Sequence, residues 1–123
     1  MKALTTVLAG SALALACTLA HAQAVGTVAG LGLRSCGLWL DARKQKADGP
    51  TQAHERFSTV WVQGFLSGLN VESLLLQHGG VLLPDPQTIQ FMLDNECKEK
   101  PQQSVDQAAQ AMFIKLRESN PAK

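Results

Sequence analysis

Behind an apolar leader the chain keeps two cysteines, Cys36 and Cys97, and they bracket much of what remains. That pair constrains the fold more than any other feature. In an oxidising compartment an even pair in a small domain forms a bridge, and two thiols allow one connectivity. Closing a loop of about 60 residues contributes about 4 kcal/mol in the chain-entropy account, comparable to the whole stability of a marginal domain. A metal site would want clustered Cys and His, and neither cysteine has a CxxC or CxxH neighbour. A thiol nucleophile would need a base beside it, which the sequence does not display.

The compartment follows from the first 22 residues, MKALTTVLAGSALALACTLAHA, in which Lys2 is the only charge. Ala20-His21-Ala22 is a small-x-small site of the kind cut by signal peptidase, so residues 1–22 are expected to be a signal peptide and the mature protein periplasmic. Ala14-Leu15-Ala16-Cys17 offers an alternative, lipidation at Cys17, although the usual Leu three residues before the Cys is missing. Loss of Lys2 takes the 11 basic residues to 10, against 10 acidic ones. A formally neutral chain lacks the electrostatic footprint of a nucleic-acid binder. A length of 123 residues allows one small domain, and 46% apolar with 17% charged residues excludes general disorder. No apolar run after the leader is long enough to span a membrane.

Four helices are expected. Residues 23–34, Gly- and Ala-rich, read as a flexible N-terminal arm. Ser35 caps a first helix with Cys36, Trp39 and Leu40 on one face, and Arg43, Lys44 and Lys46 at its C-terminal end either complement the helix dipole or simply form a solvated end. After the Ala47–Pro50 turn, Thr51 caps a second helix running to about Gln77, with a kink at Asn70 and Ser73. Phe57, Val60, Trp61, Gly64, Phe65, Gly68 and Leu69 recur at three- and four-residue spacing and predict its buried stripe. Gly64 and Gly68 each cost about 1 kcal/mol of helix propensity, which predicts another backbone close by. Asp85-Pro86 starts a third helix, with Ile89, Met92, Leu93 and Cys97 inward and Pro101 beyond its end. Ser104 and Gln107 form a capping box for a fourth, whose inward face is Val105, Ala108, Ala109, Met112, Phe113 and Leu116. The predicted fold is an all-α, single-domain bundle of about four helices over residues 35–119, stapled by one disulfide, with a short tail at 120–123.

Catalytic chemistry finds little support. Gly64-Phe65-Leu66-Ser67-Gly68 lacks the spacing of a nucleophile elbow and lies within a helix. His54 and His78 stand in no metal-binding spacing. Asp94 and Glu96 are two apart and point away from each other on a helix. No cofactor, metal site or enzymatic activity is expected.

Ser35-Cys36-Gly37-Leu38-Trp39-Leu40, the Val60–Asn70 segment with its aromatic-x-x-Gly-x-x-x-Gly core, and Asp94-Asn95-Glu96-Cys97 with Pro101 resemble Rap/Tai-type immunity proteins. The likeness covers about residues 34–117. Those are periplasmic helical proteins that neutralise cell-wall amidases injected by type VI secretion. The chain is similar, more loosely, to HdeA/HdeB acid-stress chaperones. The first likeness implies an inhibitor with a protein partner, a cell-wall amidase effector; the second implies a holdase. A structural envelope protein is a further alternative, and a homodimer is compatible with each. As an inhibitor the body would present the 77–85 loop to a cleft. Gln77, His78, Val81, Leu82 and Leu83 would make the contacts and Gly79-Gly80 would lend flexibility. In the competing arrangement Val81–Leu83 folds back onto the core.

Overall fold

The computed structural model describes residues 28–45 and 50–119. The leader with Cys17, residues 23–27, the turn residues 46–49 and the tail 120–123 lie outside the described residues. The fold is all-α. A 3-10 turn (Gly30–Leu33) precedes α1 (Cys36–Lys44), α2 (Pro50–Leu75), α3 (Pro86–Glu99) and α4 (Val105–Ser119), and every pair of these helices is in contact.

Local chemistry sets most of the helix starts. Ser35 Oγ accepts from the Leu38 amide at 3.3 Å, satisfying one of the free N–H groups of α1. Asp85 Oδ1 accepts from the Gln87 and Thr88 amides, and Thr88 Oγ1 donates to Oδ2 at 2.6 Å. These bonds, the Thr88 hydroxyl foremost, hold the Asp85 carboxyl below its ordinary pKa. Gln107 Oε1 accepts from the Ser104 amide, one half of the expected capping box. In α2 the helix starts at Pro50, so Thr51 is a helical residue and not the cap. Proline suits a first helical position because its missing N–H would be unpaired there anyway.

The core gathers Trp39 from α1, Val62 and Leu66 from α2, Ile89 and Leu93 from α3, and Val105, Ala108, Ala109 and Met112 from α4. Cys36 and Cys97 are bonded through their sulfurs, with Cα atoms 4.9 Å apart and neither residue exposed. The bridge ties the first residue of α1 to the last turn of α3. Backbone bonds reinforce the same corner: Cys36 N–H donates to Gln103 O at 2.8 Å, Gly37 N–H to Pro101 O at 3.1 Å, and Val105 N–H to Arg34 O at 2.9 Å. The connection between α3 and α4 thus caps α1.

The N-terminal arm is docked where it is described. Trp61 Nε1 donates to Ala29 O at 3.1 Å, and a Cβ on Gly32 would sit 2.2 Å from the Trp61 ring. Only glycine lets the arm lie this close, a contact that a Gly/Ala-rich sequence does not advertise.

Arg43 is likewise not a solvated helix end. Its guanidinium bonds both oxygens of Asp94 at 3.0–3.2 Å and Glu55 Oε1 at 2.8 Å, so it joins α1, α2 and α3. Asp94 Oδ1 also accepts from the indole N–H of fully buried Trp39 at 2.8 Å. The Asp94 hydrogen bonds, ahead of the charges around it, raise the already high pKa of Arg43.

The largest departure from expectation is the orientation of α2. Val62 and Leu66 are buried together with Ser58, Thr59 and Ser73, while Phe57 and Val60 are exposed and Trp61, Phe65 and Leu69 only half-buried. A Cβ added at Gly64 or Gly68 would meet nothing within 4 Å, so no other described backbone approaches them. The helix is apolar on two sides, and periodicity alone does not say which side the other helices take.

Candidate functional site

The predicted contact loop is held in place by the end of α2. Asn70 and Ser73 produce no break in the helix; their side chains turn to the loop instead. Asn70 accepts from the Val81 amide at 2.8 Å and donates to Val81 O at 3.0 Å. Ser73 Oγ donates to Gly79 O at 2.7 Å. The helix closes in a Schellman arrangement, with His78 N–H on Ser73 O, Gln77 N–H on Leu74 O, and Gln77 itself at φ 59°. Gly79 takes φ 78°, the left-handed conformation glycine adopts without a steric penalty. The turn is thus shaped by Gly79, whose carbonyl is held by Ser73.

This fold-back separates the five predicted contact residues. Val81 enters the core and Leu83 packs against it, so Val81 is withdrawn from the surface. Gln77, His78 and Leu82 face solvent, and Leu82 is 87% exposed. Leu74, Leu75 and Leu76 are exposed as well, Leu75 to 78%. These three belong to the same end of the molecule, and nothing in the sequence singles them out as surface. Their run at the end of an apolar helix reads as core, and only the Schellman closure shows where they stop being covered. The result is an apolar tip on a backbone fixed by three side-chain hydrogen bonds.

Along the outer face of α2 runs a shallow open groove lined by Val60, Trp61, Gly64, Phe65, Gly68 and Leu69, with Glu72 at one end. Trp61 and Phe65 are stacked there with centroids 5.0 Å apart. A second depression surrounds Glu96, which is buried and ion-paired with Lys115 of α4; that hydrogen bond is the first cause of the raised Lys115 pKa. The pairing of Glu96 is invisible in the sequence, because its partner is remote in the chain.

Among the described residues no three His, Cys, Asp or Glu side chains gather where they could hold a metal ion, and no helix is long and apolar enough to cross a membrane. His54 is half-buried with an Nε2 that has no hydrogen-bond partner among the described residues, and His78 stands exposed on the tip. The arrangement offers apolar contact surface on a rigid frame. Fold and surface together define a small disulfide-stapled helical bundle with an exposed apolar tip. No protein-family model, curated protein or solved structure matches the chain.

Proposed function

We propose that the protein is an exported, periplasmic binding protein of the immunity type, which occupies the cleft of a cell-wall-directed effector such as an amidase. The observation that supports this reading best is the immobilised tip. An exposed Leu82 on a loop anchored by Asn70 and Ser73 loses little conformational freedom when it enters a pocket. Leu75, Leu76 and His78 are exposed at the same end of the molecule and extend the surface a partner would cover.

The test is inhibition. The purified chain, titrated into cell-wall amidases delivered by type VI secretion, is expected to block peptidoglycan hydrolysis. Leu82→Asp is expected to weaken that inhibition about 30-fold or more, the loss typical of a hot-spot anchor. Its unfolding midpoint should not move, since Leu82 contributes little buried area. Inhibition by Leu82→Asp at wild-type strength would remove the tip from the contact. Absence of inhibition, together with suppressed client aggregation at low pH, would favour the chaperone reading.

A further inference from the structure

We propose that two copies of this chain associate through the outer face of α2, packed antiparallel about a two-fold axis level with residue 66. This goes beyond the tip and its partner and does not depend on them.

Phe57, Trp61, Gly64, Gly68, Val71 and Leu75 are spaced four, three, four, three and four apart, the repeat of a coiled-coil seam. The seam lies on the side of α2 opposite Val62 and Leu66. Phe57 is 64% and Val71 55% exposed, and a Cβ at Gly64 or Gly68 would meet nothing within 4 Å. The propensity lost at both glycines therefore has no return among the described residues of one copy.

The order of sizes identifies the occupant. Read from either end, the seam runs two large residues, two glycines, two large residues. A two-fold axis midway between Gly64 and Gly68 sets Phe57 against Leu75, Trp61 against Val71 and Gly64 against Gly68. Isologous contact between antiparallel helices requires that reciprocity. A parallel pair matches itself whatever its sequence, so it leaves the symmetric order without a reason. Paired glycines at the centre let the two helices approach closely.

Charge agrees. Glu72 is the only charged residue between Phe57 and Gln77. Antiparallel packing separates the two Glu72 residues by about 18 Å along the axis, beyond a Debye length of about 8–10 Å, whereas parallel packing sets them at one level. The seam is about 27 Å long, and a helix pair of that length buries about 1,000 Å² in total, near the lower bound for a specific interface. A concentration-dependent dimer is the form such an area supports.

Sedimentation equilibrium on the natively processed chain should show a reversible monomer–dimer equilibrium in the micromolar range. Gly64→Leu, at an open helical position, should leave the helical melting transition in place and weaken dimerisation about tenfold or more through overpacking. Chains carrying Phe57→Cys and Leu75→Cys should cross-link when mixed and not when oxidised separately. A chain that stays monomeric throughout overturns the proposal, whether the face is covered by the segment ahead of Val28 or by another protein. So does a dimer indifferent to Gly64→Leu, or one in which Phe57→Cys cross-links to itself.

Discussion

Replacing both bridging cysteines with alanine should lower the unfolding free energy by about 4 kcal/mol. The bridge closes a sequence separation of 61 residues, and without it the unfolded chain regains that loop entropy. For a domain of this size the loss corresponds to a fall of about 20 °C in Tm. Denaturant titration of the Cys36→Ala/Cys97→Ala chain beside the oxidised wild type measures it. A midpoint shift equivalent to less than about 1 kcal/mol would mean that hydrophobic packing alone holds the bundle. The effect should be large because the bridge sits where α1, α3 and the α3–α4 connection meet. Its loss also loosens the corner where Cys36 N–H and Gly37 N–H meet the carbonyls that cap α1. Both sulfur-bearing residues are wholly buried, so reduction of the wild type under native conditions should be slow unless the fold opens.

The second large effect is expected at Asp94. Asp94→Ala removes the acceptor of the Trp39 indole N–H and the main partner of Arg43 together. A buried donor left without a partner costs about 1–3 kcal/mol, and the guanidinium keeps Glu55 and its place over the Trp39 ring. The sum should be about 3 kcal/mol, less than a fully buried ion pair would give, because the Arg43 side chain retains 32% exposure. Asp94→Asn preserves an acceptor for Trp39 and should recover part of the loss. Chemical denaturation of both variants checks this; equal stability of Asp94→Ala and wild type would show that the clamp contributes nothing. Adding Arg43→Ala to Asp94→Ala should cost less than the two single effects summed, since the two side chains share their contacts.

What was legible in the sequence was local or covalent. Ser35, Asp85-Pro86 and the Ser104/Gln107 pair announce helix starts because their hydrogen bonds close within three residues. The α4 pattern from Val105 to Leu116 is readable because that helix has one apolar side. The disulfide is readable because, of three cysteines, only Cys36 and Cys97 lie beyond the leader that is expected to be removed. The remainder depends on residues far apart in the chain. Arg43 and Asp94 look like ordinary surface charges until α1 and α3 are brought together. Glu96 looks exposed until Lys115 arrives from α4. In α2 the more conspicuous stripe, aromatic and Gly-containing, is only half-covered, with Trp61, Phe65 and Leu69 at the edge of the core, and a less conspicuous one with Ser58 and Ser73 is buried. Of those serines, Ser73 is buried because its hydroxyl holds the Gly79 carbonyl of the following loop. For the candidate site, sequence singled out the 77–85 loop but not which of its residues turn inward. Val81 and Leu82 are adjacent apolar residues, and only the Asn70 bonds to the Val81 backbone decide which one turns inward.

Binding through the tip requires that loop to be fixed before any partner arrives. Hydrogen exchange at the Val81 amide, read residue by residue in the free protein, tests this most directly. Slow exchange in the wild type and a rise of about tenfold or more in Asn70→Ala are predicted, the loss of one buried hydrogen bond. Exchange of Val81 at the rate of an unstructured chain in the wild type would contradict it, because the tip would then have no fixed shape to present.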